Sequence, residues 1–191
     1  EERIKRELTN LRDNDILTPD IVFKSPYVLE FMGLKGMYSE RDLENSLVAH
    51  LEQFIIELGY GFTFVARQKR MIIDGQDFYL DLLFYHRRLH RLIAIDLKLG
   101  RFKAQYKGQM ELHLRWLEAN EMEPGEESPL GLLLCTEGNE EQIELLQLDK
   151  AGIKVAQYMT ELPPREVLQR QLQKSLEYAK ARQENTIEED E

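Results

Sequence analysis

The stretch DFYLDLLFYHRRLHRLIAIDLKLGRFKAQYKGQ, Asp77–Gln109, decides how the rest of the chain folds. It reads as two strands followed by a helix. Side chains two apart in a strand share a face. The first strand therefore sets Phe78, Leu80, Leu82 and Phe84 on one side and Tyr79, Asp81, Leu83 and Tyr85 on the other. Asp81 is out of place in a packing set. After the basic turn His86–His90, the run Leu92-Ile93-Ala94-Ile95 suits a strand covered on both faces. That strand closes on Asp96-Leu97-Lys98, with Asp96 and Lys98 on one face. Burying a carboxylate and an ammonium there is costly unless they are paired or bound to an ion. The strand end is the first mark of a site.

Elements on either side of this stretch follow from periodicity and punctuation. Ser39 followed by Asp42 resembles a helix-capping pair, and Leu43, Leu47, Leu51, Phe54, Ile55 and Leu58 form one apolar stripe that stops at Gly59. Glu44 lies at the edge of that stripe on the first turn. Residues 62–73 read as a strand, and Asp74-Gly75 is a hairpin turn leading back into Phe78. Past Gly100, a helix over 103–120 buries Tyr106, Met110, Leu114 and Leu117, with Gln109 beside the stripe. Then come an acidic loop, a strand over 130–136, a short helix over 140–148 and a strand over 153–158.

Residues 27–34 are expected to form a short helix ending near Gly33 and Gly36. Residues 1–14 carry helical spacing, and 165–184 a final helix before an acidic tail. The expected organisation is a linker or the end of a preceding domain over 1–25, one domain over 26–164, and a helix with tail over 165–191. The order predicts an α/β fold, a central mixed sheet flanked by helices on both faces.

Composition narrows the function. The chain has 191 residues, 42% hydrophobic and 31% charged, enough for one core. No apolar run approaches the length of a membrane span, and no signal segment opens the chain. The single cysteine, Cys135 in LLLCT, forbids an internal disulfide, fits a reducing, cytoplasmic setting and reads as a buried strand thiol. Formal net charge is −10. Residues 64–107 run against it, with ten Lys/Arg against four acids. Such a zone is either the footprint of a polyanion-binding cleft or a solvated, charged strand pair.

Four stretches carry a family resemblance: PYVLEFMGL (Pro26–Leu34), YSERDLENSL (Tyr38–Leu47), DFYLDLLFYHRRL (Asp77–Leu89) and IAIDLKLGRFKAQYKGQM (Ile93–Met110). Together they resemble the PD-(D/E)XK nuclease superfamily, and most closely its YhcG-type bacterial family. The resemblance implies a restriction-endonuclease-like core and a Mg²⁺- or Mn²⁺-dependent deoxyribonuclease with Asp81, Asp96 and Lys98 at its centre. Glu44 matches the helix-borne acid of the superfamily, and Gln109 the polar residue on the helix after the Asp-x-Lys strand. An N-terminal recognition domain is also implied.

The chemistry of these groups points the same way. Two carboxylates from neighbouring strands can share a hard cation, with the Leu97 carbonyl as a further oxygen donor; the resemblance adds Glu44 as a ligand, directly or through water. An adjacent lysine can orient or deprotonate water. Asp96 stands where the superfamily often has Glu, which leaves metal distance and preference open. Arg67, Tyr79, Arg87 and Lys103 are candidates for contact with the DNA, Arg67 and Tyr79 equally for packing. His86 and His90 lack partners for zinc and read as phosphate contacts or plain surface.

The competing reading of Asp96 and Lys98 is a buried ion pair. The competing function is a non-catalytic module that binds nucleic acid or assembles a complex on a degenerate nuclease fold, and RNA is a weaker alternative as substrate. A homodimer is plausible because cutting a duplex takes two sites.

Overall fold

The structure is a computed structural model and describes residues 18–137, 140–161 and 169–170. The chain divides into two units, Glu1–Thr160 and Glu161–Glu191, and all the elements below belong to the first. The helix expected over 1–14, the one expected over 165–184 apart from residues 169–170, and the acidic tail lie outside the described residues.

In chain order the elements are α1 (Pro19–Val22), β1 (Tyr27–Val28), a 3₁₀ turn (Glu30–Met32), α2 (Glu40–Ala49), α3 (Leu51–Leu58), β2 (Phe62–Ile73), β3 (Gln76–His86), β4 (Arg91–Arg101), α4 (Ala104–Asn120), β5 (Leu130–Glu137), α5 (Glu140–Leu145), a second 3₁₀ turn (Leu148–Ala151) and β6 (Ile153–Met159). The six strands make one sheet in the order β1-β6-β5-β4-β3-β2. β3 runs antiparallel to both its neighbours, β2 and β4, and β4, β5, β6 and β1 run parallel. Among the described residues, no helix is long and apolar enough to cross a membrane.

The sheet is covered on both faces. On one, Leu82, Phe84, Ile93, Ile95, Leu97, Leu132 and Leu134 pack against Leu43, Leu47, Phe54 and Leu58 of α2 and α3. On the other, Leu83, Ala94, Leu133 and Cys135 meet Tyr106, Met110, Leu114 and Leu117 of α4. Gly131 on β5 permits that approach, since a Cβ there would lie 2.6 Å from Met110 Cγ. Cys135 is fully buried, and burial pushes its thiol up to about 11, so it packs rather than reacts.

Phe84 is the hub of the first layer, its ring 5.6–6.2 Å from those of Phe54, Phe62 and Phe64. Phe84→Ala removes that hub and leaves a cavity, so it should lower unfolding stability by about 3–5 kcal/mol in equilibrium urea denaturation. A loss below about 1 kcal/mol would contradict this packing.

Three local readings need correction. Residues 27–34 are not a helix: Tyr27 and Leu29 are both buried, a spacing of two, and β1 pairs with β6 before the 3₁₀ turn closes at Gly33 with φ 64°. The helix expected over 39–58 is two helices. The Ser39–Asp42 capping box starts α2 as predicted. At His50, however, φ −115° and ψ 35° interrupt it, and His50 Nδ1 lies 2.8 Å from the Ser46 carbonyl, competing with the helical ladder. The third correction concerns β3. Phe78 and Leu80 pack with Leu83 in the α4 layer, whereas Leu82 and Phe84 pack in the α2 layer. Strict alternation fails between Leu80 and Leu82, at Asp81.

Candidate active site

The irregularity at Asp81 builds the site. The turn Asp74-Gly75, with φ 51° and 74°, sets a two-residue hairpin and fixes the register of β2 against β3. That register puts Gln68 opposite Asp81, yet the two are not a regular pair, and Gln68 takes a left-handed φ of 44°. On the other side, β3 pairs with β4 from His86↔Arg91 only as far as Leu82↔Ile95. β4 continues alongside β5 through Asp96, Leu97 and Lys98. β3 and β4 therefore part where Asp81 and Asp96 face each other.

Carboxylates replace the missing ladder bonds. The Leu97 backbone N–H donates to Asp81 Oδ2 at 2.8 Å, and the Asp81 N–H donates to Asp96 Oδ1 at 3.4 Å. Each acid is thus tied to the other's strand. The Gln68 amide donates to Asp81 Oδ1 at 3.2 Å and to Glu44 Oε2 at 2.8 Å, bringing the helix-borne acid to the pair. Among the described residues, two buried side-chain oxygens have no hydrogen-bond partner: Asp96 Oδ2 and Glu44 Oε1.

The electrostatics follow from this crowding. Burial, and then the charge of Asp96, hold the Asp81 carboxyl well above the usual carboxylate range, against the pull of the Leu97 N–H. Asp96, 1% exposed, is also raised, chiefly by burial and against the nearby positive charge of Lys98. The pair resists carrying two negative charges without a positive partner. Lys98 is not consumed as that partner. Among the described residues it makes no ion pair, and its Nζ lies 5.1 Å from the centroid of the Tyr106 ring. The reading of Asp96 and Lys98 as a direct buried ion pair therefore fails.

Sequence reasoning missed two neighbours. His113 on α4 is fully buried, its Nδ1 3.7 Å from Asp96 Oδ2, and neither ring nitrogen has a hydrogen-bond partner among the described residues. Burial, aided by the charge of Lys98, lowers its pKa to about 4, so the ring is neutral at neutral pH. Its spacing from Met110 and Leu114 already placed it on the apolar stripe. Gln68 was legible too, because a two-residue turn after Ile73 forces it opposite Asp81.

The outer candidates are spread more widely. Gln109 is exposed beside buried Met110, and Lys103 is the exposed N-cap of α4. Arg67 is exposed on β2, and Tyr79 is 48% exposed on β3, in register with Arg70. Arg87 lies beyond the far end of β3, about 20 Å from Asp81 along an extended strand. There it lines a cavity of about 660 Å³ with Tyr60 and Arg88. His86 is fully buried, its Nδ1 accepting from the Leu89 N–H, so it is a core residue rather than a phosphate contact or surface.

Half of the basic zone is neutralised from outside or within. Lys69 pairs with Glu121, Arg70 with Asp77, Arg91 with Glu127, Arg101 with Glu137 and Lys107 with Glu111. Among the described residues Arg67, Arg87, Arg88, Lys98 and Lys103 have no such partner.

Among the described residues, no three His, Cys, Asp or Glu side chains converge as a metal cluster. The donor set to weigh is two carboxylates with backbone oxygen. It fits a hard divalent cation: both acids are raised, and the unpartnered Asp96 Oδ2 is an acceptor awaiting a positive group.

The model of the YhcG PDDEXK nuclease domain family matches residues 20–177. The chain belongs to that family. The chain is 46% identical over 121 residues to YhcG of Escherichia coli (strain K12), a match covering 63% of this chain and 32% of that protein. The chain thus spans about a third of that relative's length. Solved structures similar to the nuclease domain include a repair endonuclease from Pyrococcus abyssi, with TM-score 0.44, 21% identity, and coverage of 68% of this chain and 50% of that one. EndoMS in complex with double-stranded DNA matches with TM-score 0.44, 16% identity, and coverage of 68% and 49%.

Proposed function

We propose that this nuclease domain hydrolyses DNA phosphodiester bonds with a divalent metal ion, Mg²⁺ or Mn²⁺, through Asp81, Asp96 and Lys98. The observation that carries the reading is the parting of β3 and β4. It sets the buried Asp96 carboxylate against the half-buried Asp81 and, among the described residues, leaves Asp96 Oδ2 without a hydrogen-bond partner and the nearby Lys98 amine without an ion pair.

Asp81 and Asp96 are the residues that would hold the ion. Within a strand, N–H and C=O of one residue lie on the same edge, so the Leu97 carbonyl is directed toward the gap that its N–H enters. Glu44 is a further donor, tied to Asp81 by Gln68. A bound divalent ion supplies charge neutralisation at the phosphate and acidifies water. Lys98 Nζ takes up or orients the water proton and offsets charge developing on the phosphate. Tyr106 holds the amine over its ring face. Neutral His113 backs Asp96 without competing for its charge. Arg67, Tyr79, Lys103 and Gln109 contact the DNA near the site, and Arg87 contacts it farther along. An N-terminal recognition domain, pairing of two copies for duplex scission and a cytoplasmic setting complete the proposal.

Incubation with supercoiled plasmid and with RNA of matched length tests the reading. Mg²⁺ or Mn²⁺ should yield nicked and linear DNA, EDTA should abolish it, and RNA should be cut more slowly. Metal-independent nicking would overturn the metal assignment. Tight DNA binding without cleavage under any divalent ion would establish the non-catalytic module instead.

A further inference from the structure

Gln68 is the residue for which packing offers no reason. It sits in the interior of β2 in a left-handed conformation, φ 44°, where an L side chain without special compensation is strained by about 1–3 kcal/mol. It belongs to neither apolar layer. Its amide nitrogen instead spans two acids from different elements, Glu44 on α2 and Asp81 on β3, at 2.8 and 3.2 Å. Strain kept at such a point marks a conformation that the surroundings enforce.

The geometry of the amide explains the choice of residue. A carboxylate in its place would add a third negative charge between two others. A lysine would neutralise the acids and compete with any cation they bind. The neutral amide donates two hydrogen bonds and carries no net charge. It can therefore hold Glu44 near Asp81 while leaving the negative charge for another group. Glu44 Oε2 and Asp81 Oδ1 are taken by this bridge, and Glu44 Oε1 remains buried without a partner.

From this we infer that Gln68 is a positioning residue, a clamp that couples α2 to β3 by tying Glu44 to Asp81. What the clamped acids do rests on the nuclease reading; the clamp itself does not.

Gln68→Asn is the discriminating variant. Asparagine tolerates left-handed φ, but its shorter amide cannot span both acids. Gln68→Gly serves the same end, releasing strain and deleting the bridge. Both variants should fold. Titration of Mn²⁺ alone by calorimetry should show affinity about 10–100-fold weaker than in the parent protein, the usual effect of losing a group that orients a ligand. In EDTA, a cycle of Gln68→Asn with Glu44→Ala, which deletes the acceptor, should be non-additive. The urea midpoint of the double variant should match that of a single variant rather than fall by the sum. Additive shifts, or parental Mn²⁺ affinity in both Gln68 variants, would overturn the clamp. A non-additive cycle in a protein that binds no Mn²⁺ would uphold the clamp and remove the nuclease reading instead.

Discussion

Asp96→Asn should abolish DNA cleavage while making the metal-free protein more stable. The change is nearly isosteric. Oδ1 persists to accept the Asp81 N–H, and an NH₂ group takes the place of the unpartnered Oδ2. That NH₂ group faces His113 Nδ1, 3.7 Å away, which is neutral and free to accept. The variant removes a desolvated charge, burial being the chief cause that pushes both carboxyls up, and with it the repulsion that raises Asp81 further. Replacing buried charge by a well-packed neutral group commonly stabilises, here by about 1–2 kcal/mol, or about 2–6 °C in melting temperature. The same replacement deletes the charge proposed to hold a divalent ion, so nicking should fall on the order of a thousandfold or more. Plasmid nicking and thermal melts in EDTA read the two effects. A variant that is both inactive and markedly less stable would show that Asp96 serves the fold, and the site would lose its clearest functional signature.

Lys98→Met should reduce cleavage by about 10²–10⁴-fold, the range for loss of a positioned proton-transfer group, while Mn²⁺ affinity stays within about threefold of the parent. Lys98 makes no ion pair with Asp81 or Asp96 and so does not preoccupy their oxygens. Lys98→Arg should not restore the rate, because a guanidinium cannot give up its proton and its planar fork does not fit the place of a compact amine over Tyr106. Initial nicking rates and calorimetry distinguish the outcomes. Full activity in Lys98→Met, or collapse of metal affinity with activity, would assign the lysine to charge balance alone.

The sheet was legible because its signals are local. The Asp74-Gly75 turn, the strands β2 and β3 on either side of it, and the apolar run Leu92–Ile95 each belong to one short segment and form as read, although the faces read for β3 switch at Asp81. The helices over 40–58 and 104–120 were legible as apolar stripes, but the interruption at His50 was not, since it arises from a side chain competing for a single carbonyl. β1 was misread because two residues are too few to establish a period, and their pairing with β6 is remote in sequence.

The site was legible to a different degree. Asp81, Asp96 and Lys98 stood out because charged residues interrupted apolar runs. Their reciprocal bonding did not, because it depends on β3 and β4 separating after Leu82↔Ile95. His113 looked like a core position, and its approach to Asp96 comes only from the packing of α4 on the sheet. The charge surplus of residues 64–107 overstated the free basic surface, since acids such as Glu121, Glu127 and Glu137, distant in sequence, fold back onto it.

A crystal soaked in Mn²⁺ and measured at the manganese absorption edge puts the shared-cation account to its plainest trial. One anomalous peak should stand between Asp81 and Asp96, within ligand distance of an oxygen from each. Carboxylates left as they are here, with manganese bound only elsewhere or nowhere, would contradict the account.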